Sequence, residues 1–236
     1  MTLAIGASMR LCCGAQQNMR RAAKAPLAVT KADTMASQQI DRCIVRRACA
    51  ADCTVAAALH ARELHGEFLS SLGTHFLTVL YRGINSHPNG FVLVAERNGK
   101  VIGFVSGATN NTIVSSEVIR LNWIVLAFWS GFHILANLKL LPAALAALKH
   151  GKGQYAGQAE LLAIAIAATA QNNGAGKALL TAFQREMRSR NVQFFHLIVA
   201  ERNTKARSFY ERNGFELLER ISLFGTWKCR LGSHVR

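Results

Sequence analysis

The chain has 236 residues, of which 50% are hydrophobic and 17% charged, and this length predicts one domain with extensions. Its 28 Lys and Arg against 13 Asp and Glu give a formal net charge of +15. Such a charge favours anionic partners: a phosphorylated cofactor, an acidic substrate, a membrane surface or nucleic acid. Because no basic run is interleaved with aromatics and no zinc-finger or RNA-binding pattern is present, nucleic acid is not predicted as a partner.

The cysteines and histidines predict neither a disulfide framework nor a metal site. Five of the six cysteines lie in the first quarter of the chain, and none forms a C-x-x-C pair. The eight histidines are scattered and contain no H-E-x-x-H pattern. We therefore expect a cytoplasmic protein, in a reducing compartment, that works without a metal.

Residues 1–40 are basic and contain no acid before Asp33. Their composition resembles a transit peptide, and it equally fits an upstream extension from a start codon placed before Met35. We expect a poorly ordered, non-catalytic extension, followed by one folded domain over 41–236.

The first part of that domain alternates strand and helix patterns. A strand is predicted from Ile44 to Ala48, followed by a helix that Asp52 would cap and that runs to Leu64. A second helix, from Phe76 to Arg82, would be capped by Thr74. Residues 90–96 and 101–106 predict a hairpin because Asn98-Gly99 between them is the residue pair that a tight turn with positive φ prefers.

Segment 118–150 is the anomaly of the chain. Residues 121–138 carry no charge, and residues 142–148 predict a second short helix. The length of the apolar run alone would suit a transmembrane span. A single crossing, however, would put the third and fourth strands of one sheet on opposite sides of a bilayer. We therefore expect a helical insertion that lies over one side of the sheet and packs on the domain or on a second copy, with contact to a membrane interface as the alternative.

The most informative stretch runs from Ala159 to Phe215. An apolar strand over 161–168 is followed by a turn containing Gly174 and Gly176, and then by a helical pattern from Lys177. A strand over 192–199 precedes a short helix that opens at Asn203 and closes at Gly214. A strand, a glycine turn and a helix in this order aim free backbone N–H groups at an anion. The remaining strands are predicted over 215–219 and 223–231.

Two motifs in this stretch resemble the GCN5-related N-acetyltransferase (GNAT) superfamily. Gln171, Gly174 and Gly176 match its acetyl-CoA signature Q/R-x-x-G-x-G/A. A second signature, N-x-x-A-x-x-x-Y followed by G-F, is matched in order and spacing by Asn203, Ala206, Tyr210, Gly214 and Phe215. The resemblance implies an α/β fold with a mixed, mostly antiparallel central sheet flanked by helices. The helical insertion would then lie between strands 3 and 4.

The resemblance also implies acetyl-CoA as co-substrate and a set of binding residues. Backbone amides in a bulged fourth strand would polarise the thioester carbonyl, and the glycine turn would hold the pyrophosphate. The cofactor-binding residues implied are Ile164, Ala165, Ile166, Gln171, Asn172, Asn173, Gly174, Ala175, Gly176, Lys177, Asn203 and Tyr210. The chain departs from the family where Asn172 and Asn173 replace the usual basic residues of the turn.

Two side chains are the catalytic candidates. Tyr210 occupies the place of the family's tyrosine that serves the leaving thiolate, and a packing tyrosine is the alternative. Glu160 is the acid near the start of the fourth strand and is the candidate base, acting directly or through water; an exposed strand-end glutamate is the alternative. His196 is a second candidate base, although a lone strand histidine is more often structural.

The function predicted is transfer of an acetyl group from acetyl-CoA to a primary amine of a small molecule or peptide. Ile198 stands where the branch that acetylates ribosomal-protein N-termini has a glutamate, which argues against peptide N-termini as acceptors. Two alternatives stay open. One is a non-catalytic acyl-CoA-binding module or sensor, and the other is a membrane-surface acyltransferase acting on a lipid-linked precursor. A homodimer is compatible with the predicted function and with both alternatives.

Overall fold

The computed structural model describes residues 43–66, 68–137, 155–223 and 226–235. The predicted N-terminal extension over 1–40 and the predicted short helix over 142–148 lie outside these residues. Seven strands and five α-helices follow one another in the described chain. In chain order they are β1 (Ile44–Arg47), α1 (Ala50–Glu63), α2 (Gly73–Ser86), β2 (Gly90–Arg97), β3 (Lys100–Ala108), α3 (Asn111–Ala136), β4 (Glu160–Ile166), α4 (Ala175–Ser189), β5 (Phe194–Ala200), α5 (Thr204–Arg212), β6 (Glu216–Leu223) and β7 (Thr226–His234).

The strands form one seven-stranded sheet in the order β1-β2-β3-β4-β5-β7-β6. Only the central pair, β4 and β5, is parallel, and every other neighbouring pair is antiparallel. This confirms the predicted mixed, mostly antiparallel sheet. The hairpin between β2 and β3 turns at Asn98 and Gly99, both with positive φ (52° and 72°), as the Asn-Gly pair predicts.

Helices cover both faces of the sheet and produce two apolar clusters. Strand residues alternate between the faces, so that Phe104 and Val105, both fully buried, belong to different clusters. One cluster packs α1, α2 and part of α3 on the sheet, and the other packs α4 and α5 on the opposite face. In the second cluster α4 lies so close to β3 that a Cβ on Gly107 would clash with the Phe183 ring. The sheet is therefore held at its centre from both sides.

Several predicted boundaries were wrong. The N-cap of α1 is Cys49, and Asp52 instead lies one turn inside, where its carboxylate accepts the Cys49 N–H at 2.8 Å. Helix α2 begins at Gly73 after Leu72, so Thr74 does not cap it. Helix α4 begins at Ala175 and not at Lys177. These differences arise because caps depend on the direction in which the chain enters a helix, which propensity does not specify.

The insertion begins earlier than predicted. Helix α3 starts at Asn111, directly after β3, and not at 118. Its backbone leaves helical geometry at Asn122 (φ −117°, ψ 16°), and the side-chain amide of Asn122 donates to the carbonyl of Val118 at 2.9 Å. A helical insertion between β3 and β4 is confirmed, but its aromatics do not all pack on the domain, because Trp123 is 61% exposed and Phe128 67%.

Candidate active site

The two parallel strands at the centre of the sheet separate after a short contact. β4 and β5 pair only at Glu160 with His196 and at Leu161 with Leu197. On its other side β4 pairs with β3 over its whole length, apart from a register shift opposite Ser106 and Gly107 that leaves Leu162 as an extra residue. A bulge of this kind bends its strand. The remainder of β4 and the end of β5 therefore border an open gap within the described sheet.

Strand geometry decides which β4 amides face this gap. The N–H of Ala167, immediately after β4, donates to the carbonyl of Ile102 on the β3 side at 2.8 Å. Because successive amides of a strand point to opposite edges, the N–H groups of Ile166 and Ile164 are directed to the gap and that of Ala165 to β3. Of the three predicted strand residues, Ile164 and Ile166 therefore offer amides to a ligand in the gap, whereas Ala165 does not.

A glycine turn closes one end of the gap. Asn172 and Gly174 both have positive φ (62° and 78°), which Asn and Gly tolerate, and Gly174 is the N-cap of α4. The first intrahelical bond is donated by Ala178 to the carbonyl of Gly174. The amides of Ala175, Gly176 and Lys177 thus form the free N-terminal end of a 15-residue helix, which attracts anions.

The turn is joined to the end of β4. The side-chain amide of Gln171 donates to the carbonyl of Ile166 at 3.1 Å, on the gap side of the strand. A Cβ on Gly176 would lie 3.6 Å from Phe209 of α5 and 3.9 Å from Ile166. The first turn of α4, the end of β4 and α5 therefore meet around Gly176. Asn172, Asn173 and Lys177 are exposed at the mouth of this junction.

Helix α5 presents the second motif. The side chain of Asn203 caps this helix by accepting the Ala206 N–H at 3.1 Å, as predicted from its position, and Gly214 ends the segment with φ 83°. Tyr210 is 5% exposed and packs its ring on Phe209 and Phe215. Burial raises the pKa of the Tyr210 hydroxyl, so this group is protonated at neutral pH. Its apolar cluster also contains Ile164 and Ile166 of β4.

Glu160 lies at the other end of β4 in a polar cluster. Its Oε2 accepts a hydrogen bond from the side-chain amide of Asn111 at 2.7 Å and lies 3.5 Å from Nε2 of His196. The side chain of Glu160 is 13% exposed, and His196 is fully buried. The ring of His196 packs on Tyr155, and neither of its nitrogens makes a hydrogen bond to a described residue. Glu160 is thus not the exposed strand-end glutamate considered above.

Sequence reasoning missed Asn111, which connects the insertion to this cluster. Besides its bond to Glu160, Asn111 accepts the Gly157 N–H at 3.0 Å through Oδ1, and its backbone N–H donates to Gln158. The preceding Asn110 accepts the Ile113 N–H at 3.0 Å, as an N-cap does. An Asn-Asn pair before an apolar helical run was the signal that could have located this helix start.

The predicted residues thus fall into two groups. The structure places Ile164, Ile166 and the glycine turn around one end of the gap, and it buries Tyr210 in the apolar cluster that packs on these strand residues. Glu160 lies with His196 at the other end. About four residues, or about 13 Å of strand, separate Glu160 from Ile164. Asn203 is occupied by its capping bond. Among the described residues, no group of three His, Cys, Asp or Glu side chains could hold a metal ion.

A separate groove of about 500 Å³ lies on the side of α4 that faces β1. It is lined by Val45, Gly174, Lys177, Ala178, Thr181, Ala182 and Arg185. The groove shares Gly174 and Lys177 with the turn but includes no residue of β4 or α5. It is therefore distinct from the gap between the central strands, although it extends the positively charged mouth of that gap.

Known proteins share this architecture. A family model described as "Acetyltransferase (GNAT) family" matches residues 58–215. A solved PaiA N-acetyltransferase from Thermoplasma acidophilum, in complex with coenzyme A, is 14% identical over 82% of this chain and 99% of its own, with a TM-score of 0.55. The ribosomal-protein-S18-alanine N-acetyltransferase of Escherichia coli is 15% identical over 82% of this chain and 94% of its own, with a TM-score of 0.53.

A structure named SsHAT is 21% identical over 82% of this chain and 98% of its own, with a TM-score of 0.60. At these identities the likeness shows the fold. No curated protein sequence matches the chain significantly. The family model covers more than half of the chain, including both motifs and the central strands that separate beside them. The chain therefore belongs to the GNAT family of acetyltransferases.

Proposed function

We propose that this protein transfers an acetyl group from acetyl-CoA to a primary amine. The observation that carries the proposal is the gap between β4 and β5, which has backbone amides on one edge and a helix N-terminus at one end. A thioester with a long arm and a pyrophosphate requires both features. The coenzyme A complex of a protein with the same fold supports this choice of donor.

The glycine turn is suited to the pyrophosphate. Amides of Ala175, Gly176 and Lys177 would donate to phosphate oxygens, and the helix dipole favours the negative charge. Lys177 adds a cation at the mouth of the turn, where Asn172 and Asn173 provide none. Gly176 leaves room between Phe209 and Ile166, and Gln171 fixes the end of β4.

The amides of β4 would stabilise the reacting carbonyl. Acetyl-CoA supplies an activated acyl group, and negative charge develops on its carbonyl oxygen as the amine attacks. The N–H groups of Ile164 and Ile166 are directed to the gap and are held by pairing of β4 with β3, so they need no reorganisation during the reaction. Preorganised donors of this kind typically lower a barrier by about 3 kcal/mol each.

Glu160 is the base that we propose for the incoming amine. Because about 13 Å of strand separates it from Ile164, the proton would reach Glu160 through water. Asn111 holds the carboxylate through a hydrogen bond to Oε2. The buried ring of His196, with Nε2 3.5 Å from Oε2, packs beside the carboxylate and limits the positions that it can take.

Tyr210 is the hydrogen-bond donor that we propose for the leaving thiolate. Its hydroxyl is protonated because burial raises its pKa, and it belongs to the cluster that contains Ile164 and Ile166. A protonated hydroxyl in an apolar site can donate to a developing thiolate without competing water. Its hydroxyl would stabilise the thiolate by donating a hydrogen bond and would keep its own proton, because its raised pKa makes it a weaker acid than a thiol; the departing thiolate would take its proton from solvent.

The acceptor is a primary amine on a small molecule or peptide. Ile198 at the fifth-strand position weighs against peptide N-termini, although one protein of the same fold is named for such a substrate. We place the reaction in the cytoplasm because the cysteines Cys43, Cys49 and Cys53 are free thiols, as expected in a reducing compartment. The alternative function is a sensor that binds an acyl-CoA without turnover.

Turnover distinguishes the enzyme from the sensor. The purified chain is mixed with acetyl-CoA and a panel of polyamines, amino sugars, amino acids and peptides, and free thiol is measured with a chromogenic reagent. Release that depends on one amine class, above hydrolysis without amine, supports the enzyme. Calorimetric binding of coenzyme A with no amine-dependent release across the panel supports the sensor and contradicts acetyl transfer. Absence of both binding and release contradicts both functions.

A further inference from the structure

Helix α3 divides into two halves of different character at Asn122. The first half is a conventional packed helix: Val114 and Val118 are 1% and 2% exposed, and Val118 lies so close to α2 that a Cβ on Gly83 would be 2.7 Å from it. The contact between Nε2 of His87 and Oε2 of Glu117, at 3.0 Å, also ties this half to the domain. This half belongs to the domain and needs no partner.

The second half presents apolar side chains to the outside. Leu121, Trp123, Ile124, Val125 and Phe128 are between 43% and 69% exposed, whereas Leu126 is 5% exposed. The segment Asn111–Gly131 is long and apolar enough to cross a membrane, and only 17% of its apolar window is buried. Its contact with the domain includes Trp129, which stacks on His75 at 4.6 Å. An apolar surface of this extent requires an occupant.

The distribution of these side chains around the helix favours lipid over a protein partner. At 100° per residue, Trp123, Ile124, Phe128 and Val125 together cover an arc of about 200°. The stripe by which a helix typically packs against a protein surface spans about 100°. One docked protein would leave about half of this arc in water, whereas acyl chains surround a helix on every side that the domain does not cover.

Charge and polarity mark where the helix would enter a bilayer. Arg120 is exposed and is the last charged residue before an apolar run, and Trp123 follows within one turn. Basic residues at the headgroups with tryptophan just below them are the usual arrangement at a membrane interface. The net charge of +15 complements an anionic surface.

The topology of the chain limits how deeply the helix can enter a bilayer. Ala108, which ends β3, is paired with Glu160, which begins β4, so the insertion leaves and rejoins the sheet at one place. From Leu121 to Ala136 the helix is about 24 Å long, shorter than the roughly 30 Å hydrocarbon core. The chain must therefore enter and leave on the same side.

We propose that the second half of α3, from Leu121 onward, inserts from one side into an anionic lipid bilayer and holds the acetyltransferase domain at the membrane surface. This proposal does not depend on the identity of the acceptor or on catalysis. The occupant is lipid with anionic headgroups, and a second copy of this chain is the competing occupant that the experiment must separate.

The test is flotation of the full chain with vesicles of phosphatidylcholine containing phosphatidylserine, and with phosphatidylcholine alone. We expect flotation with the anionic vesicles and weaker flotation with the neutral ones. The double variant Trp123→Gln/Phe128→Gln should lower the partition coefficient by at least roughly tenfold, because two large exposed apolar side chains lose their lipid contact. Arg120→Gln should lower it by about fivefold, the effect of one cation near such a surface.

The matched control is Ile44→Gln, because Ile44 is also 61% exposed but lies on β1 at the edge of the sheet. It should leave flotation unchanged. Circular dichroism establishes that each variant is folded. The proposal is wrong if the wild-type chain floats with neither vesicle, or if Ile44→Gln weakens flotation as much as the double variant. It is also wrong if light scattering shows a dimer that the double variant dissociates while vesicles fail to bind.

Discussion

Asn111 donates a hydrogen bond from Nδ2 to Oε2 of Glu160 at 2.7 Å, and this bond joins the first turn of the insertion helix to the first residue of β4. The other side-chain atom of Asn111, Oδ1, accepts the Gly157 N–H. One amide thus positions both the proposed base and the loop that leads into its strand. The insertion is therefore coupled to the candidate active site through a polar contact that sequence reasoning did not predict.

Replacing Asn111 by Asp should change the pH dependence of acetyl transfer. The new carboxylate keeps an acceptor for Gly157 but cannot donate to Glu160, and repulsion between two carboxylates favours the protonated form of the base. We expect the acidic limb of the kcat/KM profile to move to higher pH, with the KM for acetyl-CoA nearly unchanged. An unshifted limb with a uniformly lower rate would mean that Asn111 acts only on folding, a result that Asn111→Ala would then reproduce.

Glu160→Gln should slow the reaction mainly at low pH. At high pH the amine is already deprotonated, so a base contributes little, whereas at low pH removal of the proton is required. The expected loss at low pH is roughly 100-fold or more, the usual contribution of a positioned base. His196→Gln serves as the comparison, because it tests the neighbour of Glu160. Rates equal to wild type across the pH range would show that Glu160 is not the base.

Tyr210→Phe should lower kcat by roughly 100-fold and leave acetyl-CoA affinity nearly intact, because only the hydroxyl is lost. Since burial raises the pKa of this hydroxyl, the wild-type enzyme should show no basic limb from Tyr210 below the ordinary tyrosine range, near ~10. Phe209→Leu, in the adjacent position, controls for packing. If both variants lose equal stability and Tyr210→Phe keeps its turnover, Tyr210 is a packing residue.

Gly176→Glu should weaken acetyl-CoA binding by well over roughly tenfold, because the side chain fills the space beside Phe209 and Ile166 and brings negative charge to the helix N-terminus. Ser189→Glu places the same charge at the exposed far end of the same helix and should have little effect. Isothermal calorimetry measures both affinities. Unchanged affinity in a folded Gly176→Glu variant would remove the cofactor from this turn.

The Arg46–Asp52 ion pair should make the free energy of unfolding depend on pH in the acidic range. Arg46 lies 2.6 Å from the Asp52 carboxylate, and together with the Cys49 N–H it lowers the pKa of Asp52 to about 2. The stabilisation is present above the unfolded pKa of about 4 and is lost as pH falls toward 2. Urea unfolding should show Asp52→Asn less stable than wild type by roughly 1–2 kcal/mol near neutral pH, with the difference vanishing toward pH 2. Glu216→Gln, at an exposed site, is the control, and a difference that persists in acid contradicts the assignment.

The sheet and its motifs could be predicted because local chemistry determines them. Asn98 and Gly99 turn the hairpin and Gly174 precedes α4, each through a positive φ that few other residues adopt, whereas Asn203 caps α5 through its side chain. The candidate site could be predicted in part for the same reason. The hydrogen bonds of β4 depend on strands distant in the sequence. Sequence alone therefore could not show that the N–H group of Ala165 points to β3 while those of Ile164 and Ile166 point to the gap.

The insertion was harder to predict because composition does not specify where an apolar helix packs. Its length and lack of charge predicted a helix, which is present. Of the occupants considered for its aromatics, the domain does not cover Trp123 and Phe128, which leaves a second copy or a membrane interface. The kink at Asn122 separates a packed half from an exposed one. Val118 packs on α2 in the first half, whereas in the second half Trp129 stacks on His75 but Trp123 and Phe128 are exposed.

β4 and β5 are joined by two residue pairs in the described sheet. The sheet therefore consists of two half-sheets, β1–β4 and β5–β7–β6, joined by a very short contact. A ligand that bonds to the free edge of β4 and packs against β5 would act as the missing strand between them. Its binding would then link the two half-sheets as well as position an acyl group. We expect hydrogen exchange of the β5 amides to slow when a ligand occupies the gap between β4 and β5, even at residues that do not touch the ligand.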